Sequence, residues 1–199
     1  MYKIKFLSFF LCLLVSFSHF TFSSCKKAED ASRITIAGGS LTEIVYLLGQ
    51  ENRLVAVDIT SNYPKEAKEL PSIGYVRALS AEGVLSLSPT LILGEDDTGP
   101  AAVMEQLSRV GIQIEIIPEE NTTNGIIRKV KCVAEILGVD SITKDKTLND
   151  LNADAKELRL FTEINKKEPP QVMFILSMES GSPTVGGVDT SAHGLIKMT

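Results

Sequence analysis

Residues 34–49 read ITIAGGSLTEIVYLLG, and this stretch decides the fold. Ile34-Thr35-Ile36-Ala37 is a short uncharged β-prone run, and Gly38-Gly39 ends it. Ser40 stands three residues before Glu43, the spacing of a capping box, so a helix is predicted from there. Ile44, Leu47 and Leu48 supply its apolar face, and Gly49 stops it. The next β run follows at 54–57, LVAV.

The same rhythm continues outward. Asn62-Tyr63-Pro64 is a turn and 65–69 a short polar helix; 79–87 is a helix with Ser80 as its cap. Leu91-Ile92-Leu93 is a buried strand, 101–110 a helix closed by Gly111, and 112–117 a strand ending at Pro118. A further helix spans 123–137 before Gly138. Strands alternating with helices across short loops imply a mostly parallel sheet covered by helices. Ligands of such sheets bind beyond the carboxyl ends of the strands.

At residue 141 the pattern changes. Residues 141–167 lack Gly and Pro, and Leu148, Leu151, Ala155, Leu158 and Phe161 recur at helical spacing, so one long helix with a narrow apolar stripe is predicted. Pro169-Pro170 ends it. A fresh strand is read at 171–177, a Gly-containing loop at 181–187, and a helix capped by Asp189-Thr190-Ser191. The expected fold is α/β: a Rossmann-like lobe at 33–140, a linking helix at 141–168, and at 169–199 the truncated start of a second α/β lobe.

The amino terminus has a different character. Lys3 and Lys5 precede an uncharged, mostly apolar run at 6–22, then Ser23-Ser24 and Cys25, the order of a secretory signal over 1–24. Phe22-Ser23-Ser24-Cys25 resembles the lipobox of bacterial lipoproteins, with Phe22 where an aliphatic residue is usual; cleavage after a small residue is the alternative. The resemblance implies lipidation at Cys25, with 25–32 as a tether. Cys12 would leave with the signal, which assigns Cys132 to the core as a lone small hydrophobe and predicts no disulfide framework. Net charge is −5 with both signs interspersed, and the absence of a basic stripe argues against nucleic acid as a partner.

The strand followed by Gly-Gly-Ser-Leu-Thr-Glu-Ile, then Tyr63-Pro64 and Leu70-Pro71-x-x-Gly74-Tyr75, resembles the helical-backbone class of ABC-importer binding proteins. The resemblance runs from about residue 33 to the chain end. It implies capture of cobalamin, siderophores, haem or metals between two lobes joined by one long helix. Residues 74–83, GYVRALSAEG, resemble the segment of periplasmic haem-binding proteins that bears the iron-ligating tyrosine, and 181–192, GSPTVGGVDTSA, resembles a second segment of theirs.

Haem, as transported ligand, is the cargo so implied, with Tyr75 as iron ligand. A phenolate is a hard anionic donor suited to ferric iron, and a nearby cation favours it over the phenol. Arg77, two residues on, is expected on the same side of an extended segment, to supply that cation or pair with a propionate. Met178 is the weaker second candidate for the iron, because the loop after the 171–177 strand lacks His; iron held through Tyr75 alone is the default. His193 is read as capping or solvated. Glu82 matches the position at which the class presents an acid to the permease, and a first-turn acid favoured by the helix dipole explains it equally well. Glu43 is read as a capping residue; Tyr46 and Tyr63 are candidates for the pocket border, with a core or surface role favoured for each. Asp96-Asp97 is read as an exposed loop near the cleft rim.

GxSxG, Walker, HExxH and CxxC motifs are missing from the sequence, so a binding protein and not an enzyme is expected. The implied partners are an ABC permease with its ATPase, for a monomer in the periplasm or cell envelope that touches the membrane through lipid alone. The competing readings are a ferric-siderophore or cobalamin carrier of the same class, and a truncated lipoprotein without a transport role.

Overall fold

The structure, a computed structural model, describes residues 25–164 and 171–198. The signal expected at 1–24 and the Pro169-Pro170 stop lie outside the described residues. The chain opens with β1 (Ile34–Ala37), α1 (Gly39–Leu47), β2 (Leu54–Val57) and a short α2 (Ala81–Leu85). Then come β3 (Leu91–Glu95), α3 (Ala101–Arg109), β4 (Gln113–Ile117) and α4 (Thr123–Ile136). The long α5 spans Ser141–Ile164, and β5 (Ile175–Glu179), β6 (Ser182–Val185) and α6 (Ser191–Met198) complete the described chain.

Strands β1 to β4 form one parallel sheet in the order β2-β1-β3-β4. Helices bury both faces of β1, β2 and β3, which read as nearly unbroken apolar runs, whereas the edge strand β4 (QIEII) is only partly buried. Ile34, Ile36, Leu91 and Leu93 point to one face, against Leu41 and Val45 of α1 and Val133 and Ile136 of α4. Ala37, Ala56 and Ile92 point to the other, against Val84, Leu107 and Ile112. Each fully buried Leu or Ile contributes about 1.5–3 kcal/mol.

The carboxyl ends of all four strands share one edge. Gly38–Ser40, Asp58–Ser61, Glu95–Thr98 and the loop after Ile117 gather there. Sequence and structure part at α1: its N-cap is Gly38, with no side-chain cap, and Ser40 lies inside the first turn. The Ser40 hydroxyl turns instead toward Glu95 and Lys129, so the expected capping box is not formed. Ser80 does cap α2, accepting from the Gly83 N–H at 3.4 Å. In α5, Leu148, Leu151 and Ala155 pack on the lobe, whereas Phe161 is 65 % exposed, so the stripe grips over its first half.

The cysteines require a correction. Cys25 and Cys132 are joined by a disulfide, with Cα atoms 5.2 Å apart across a sequence separation of 107. A sulfur bonded to Cys132 cannot also carry the lipid thioether expected at Cys25, and Cys132 is not a lone thiol. Nor is 25–32 a loose tether: Ala28 is buried, and its N–H donates to the Ile136 carbonyl at 2.9 Å. The Glu29 N–H donates to Gln113 Oε1 at 2.9 Å.

The second strand region also differs. The strand expected at 171–177 forms later, at Ile175–Glu179, and pairs antiparallel with β6, which the sequence reading took for a loop. Ser180, at φ 48°, and Gly181, at φ 82°, make the tight reversal that brings the two together. The hairpin leaves Ile175, Leu176 and Met178 between 46 % and 71 % exposed. Thr190 caps α6, accepting from the His193 N–H at 3.3 Å.

Candidate ligand-binding site

Tyr75 stands on a loop pinned from two sides. Residues 71–74 run beside the end of β2: the Ile73 N–H donates to Val57 O at 3.0 Å, and the Ile59 N–H to Gly74 O at 2.9 Å. On the other side the Gly99 N–H donates to Val76 O at 3.0 Å, and the Leu79 N–H to Gly99 O at 2.9 Å. Gly74, at φ +91°, permits the left-handed step that aims the chain outward. Tyr75 to Ala78 then closes a tight turn through Ala78 N–H to Tyr75 O, 2.8 Å.

Within this turn Val76 is buried in the second core cluster, whereas Tyr75 is 43 % exposed and the Arg77 side chain 64 % exposed. Tyr75 and Arg77 therefore both face outward, as anticipated, but because of a turn and not an extended segment. Arg77 Nε donates to Asp97 Oδ2 at 2.8 Å. That bond, then the nearby Tyr75, hold the guanidinium's pKa above its ordinary value. The Asp96-Asp97 loop, read only as rim, thus anchors the Arg77 guanidinium in the same turn as Tyr75. Asp96 is likewise engaged, accepting from the Glu119 N–H at 3.3 Å.

Asp58 ties the same edge together. It is buried and accepts from four donors: Gly38 N–H at 3.1 Å, Thr60 N–H at 2.9 Å, Thr60 Oγ1 at 2.6 Å and Ser61 Oγ at 2.8 Å. Behind it lies a charged cluster that the sequence reading missed. Lys129 of α4, 7 % exposed, donates to Glu95 Oε1 at 2.6 Å and Ser40 Oγ at 2.7 Å, with Glu119 3.8 Å away. The Ser40 hydroxyl donates to Glu95 in turn. A signal was available: Lys129 is four residues from both Gly125 and Val133, on the buried stripe of α4 where a lysine needs a partner.

A cavity of about 660 Å³ opens above this edge, and its wall is mostly apolar. Ile44, Leu47, Val130 and Leu151 form one side; Ser191, Leu195 and Met198 of α6 close another. Tyr46, Tyr63, Glu43 and Glu119 add polar groups. Glu43, expected to cap, lines the cavity instead, and so do Tyr46 and Tyr63, for which the sequence favours a core or surface role. Burial, then Glu66, Glu51 and Glu69, push the Tyr46 phenol pKa up.

Tyr75 and Arg77 do not line this cavity, and the remaining candidates lie apart from it as well. Met178 is on β5, 63 % exposed, and does not line the cavity. Glu82 is exposed in the first turn of α2. His193 accepts from the Asp189 N–H through Nδ1 at 3.0 Å, the capping role expected of it.

Three comparisons bear on this arrangement. A periplasmic heme-binding protein, BhuT, in complex with two hemes, superposes with a TM-score of 0.79 at 32 % identity, over 83 % of this chain and 64 % of that one. An ABC transporter substrate-binding lipoprotein of Bacillus subtilis is 25 % identical over 172 residues, 85 % of this chain and 54 % of the relative. A vitamin B12-binding protein of Yersinia pestis is 36 % identical over 87 residues, 44 % of this chain and 31 % of its own. The chain thus spans less than two thirds of the length of each. The periplasmic binding protein family matches residues 34–193, across the parallel sheet, the long helix and the hairpin beyond it. This chain belongs to the periplasmic binding protein family.

Proposed function

We propose that this chain is the solute-binding component of an ABC importer in the bacterial envelope, and that its cargo is haem. The observation that carries the reading is the Tyr75–Arg77 turn. It offers an exposed phenol and a cation held beside it by Asp97, at the carboxyl edge where open α/β sheets take ligands. Tyr75 is assigned as iron ligand, and Arg77 as the neighbouring cation or the partner of a propionate. The heme-binding neighbour supports the cargo. Glu82, exposed on α2 beside this loop in sequence, is assigned to permease docking, and Met178 is retained only as a weak second contact. In this scheme residues 33–140 form the first lobe, 141–168 the link, and 169–199 the incomplete start of a second lobe. The protein performs no covalent chemistry on its cargo.

Titration of the purified chain with hemin, followed by absorption, tests the reading. The native chain should give a tyrosinate-type shift of the haem spectrum, and Tyr75→Ala should weaken binding at least tenfold and abolish the shift. A native chain that leaves the hemin spectrum unchanged would falsify it. The vitamin B12-binding relative favours cobalamin as second reading. A corrinoid, whose metal is cobalt, does not depend on a tyrosinate ligand, so its binding should be indifferent to Tyr75→Ala.

A further inference from the structure

The Cys25 sulfur has two possible covalent fates, a thioether to lipid or a disulfide to Cys132, and they exclude one another. Two independent observations favour the second. The bond to Cys132 is formed in the folded chain. The segment after Cys25 is also docked at once: Ala28, three residues on, is buried and bonded to Ile136, and Glu29 is bonded to Gln113. Three residues reach at most about 10 Å. A lipid on Cys25 would therefore pull α4 and the β4 edge against the headgroups, with no slack for the lobe to turn.

We propose that Cys25 is a structural cysteine, and that folding of residues 25–33 onto α4 commits its sulfur to Cys132 and leaves the mature chain unlipidated. The oxidation balances by thiol–disulfide exchange with an oxidised dithiol carrier of the envelope. One cysteine thiolate attacks the carrier's disulfide, giving a mixed disulfide and expelling one carrier thiolate. The second cysteine thiolate then attacks the protein sulfur of that mixed disulfide and expels the other. The carrier leaves as a dithiol with both electrons; the two cysteines give up their protons.

The test is to export the full chain in a bacterial host, block free thiols with an alkylating agent, and digest without reductant. Mass spectrometry should find the Cys25 peptide linked to the Cys132 peptide, separating on reduction, with the chain in the soluble envelope fraction. Cys132→Ala should convert Cys25 from unlabelled to fully alkylated, or divert it to lipid; Cys25→Ala should do the same for alkylation of Cys132, which keeps the test usable if one variant folds poorly. A native Cys25 peptide carrying a diacylglyceryl mass, or both native cysteines alkylated, would overturn the proposal. Hemin binding is read separately and is unaffected by either result.

Discussion

Lys129 and Glu95 carry opposite charges where water scarcely reaches, with side chains 7 % and 15 % exposed. Removing one partner strands the other, so Lys129→Ala should cost about 3–5 kcal/mol in urea unfolding. Replacing both with apolar residues, Lys129→Met with Glu95→Leu, should recover most of that loss. Tyr46 offers a pH test. Burial raises its folded pKa above the ordinary 10.0, so the unfolded chain ionises first. Whatever stability the neutral phenol contributes is intact below pH 10.0 and is lost as pH rises through the folded value. Unfolding midpoints measured across that range should fall for the native chain and fall less for Tyr46→Phe. Of the residues proposed for the site, Tyr75 and Arg77 were singled out through the resemblance carried by residues 74–83. Glu95, Ser40 and Lys129 were not, because 89 residues separate Ser40 from Lys129 and only the fold makes them neighbours.

Elements differ in how firmly the rest of the chain holds them. Strands β1 and β3 are central and covered on both faces, whereas β5 and β6, among the described residues, pair only with each other and are largely exposed. Amide hydrogen exchange should therefore be slowest in β1 and β3 and fastest in the hairpin, by several orders of magnitude. Equal protection in the two sheets would contradict this. The same contrast explains what could be read beforehand. Strands β1 to β3 announce themselves as apolar runs ended by Gly or a charge, since both faces are buried, while the alternating edge strand β4 ends at Pro118. Strand β6, SPTV, has no buried face and a proline, so neither periodicity nor propensity marks it; only pairing across Ser180-Gly181 makes it a strand.

For the molecule as a whole, the disulfide closes a loop of 107 residues that contains the entire parallel sheet. Chain-entropy arguments give such a staple about 4–5 kcal/mol. Cys132→Ser, or reductant added to the native chain, should lower the unfolding midpoint accordingly while leaving the far-ultraviolet circular dichroism unchanged. The four donors around Asp58 have a consequence for recognition. They lock the turns after β1 and β2 together before any guest arrives, and ordering a loose backbone residue costs about 1–2 kcal/mol. That entropy has already been spent during folding, so the encounter with cargo carries little of it. A face fixed in this way docks a guest without rearrangement, and discrimination between guests then resides in residence time, in how slowly each one leaves.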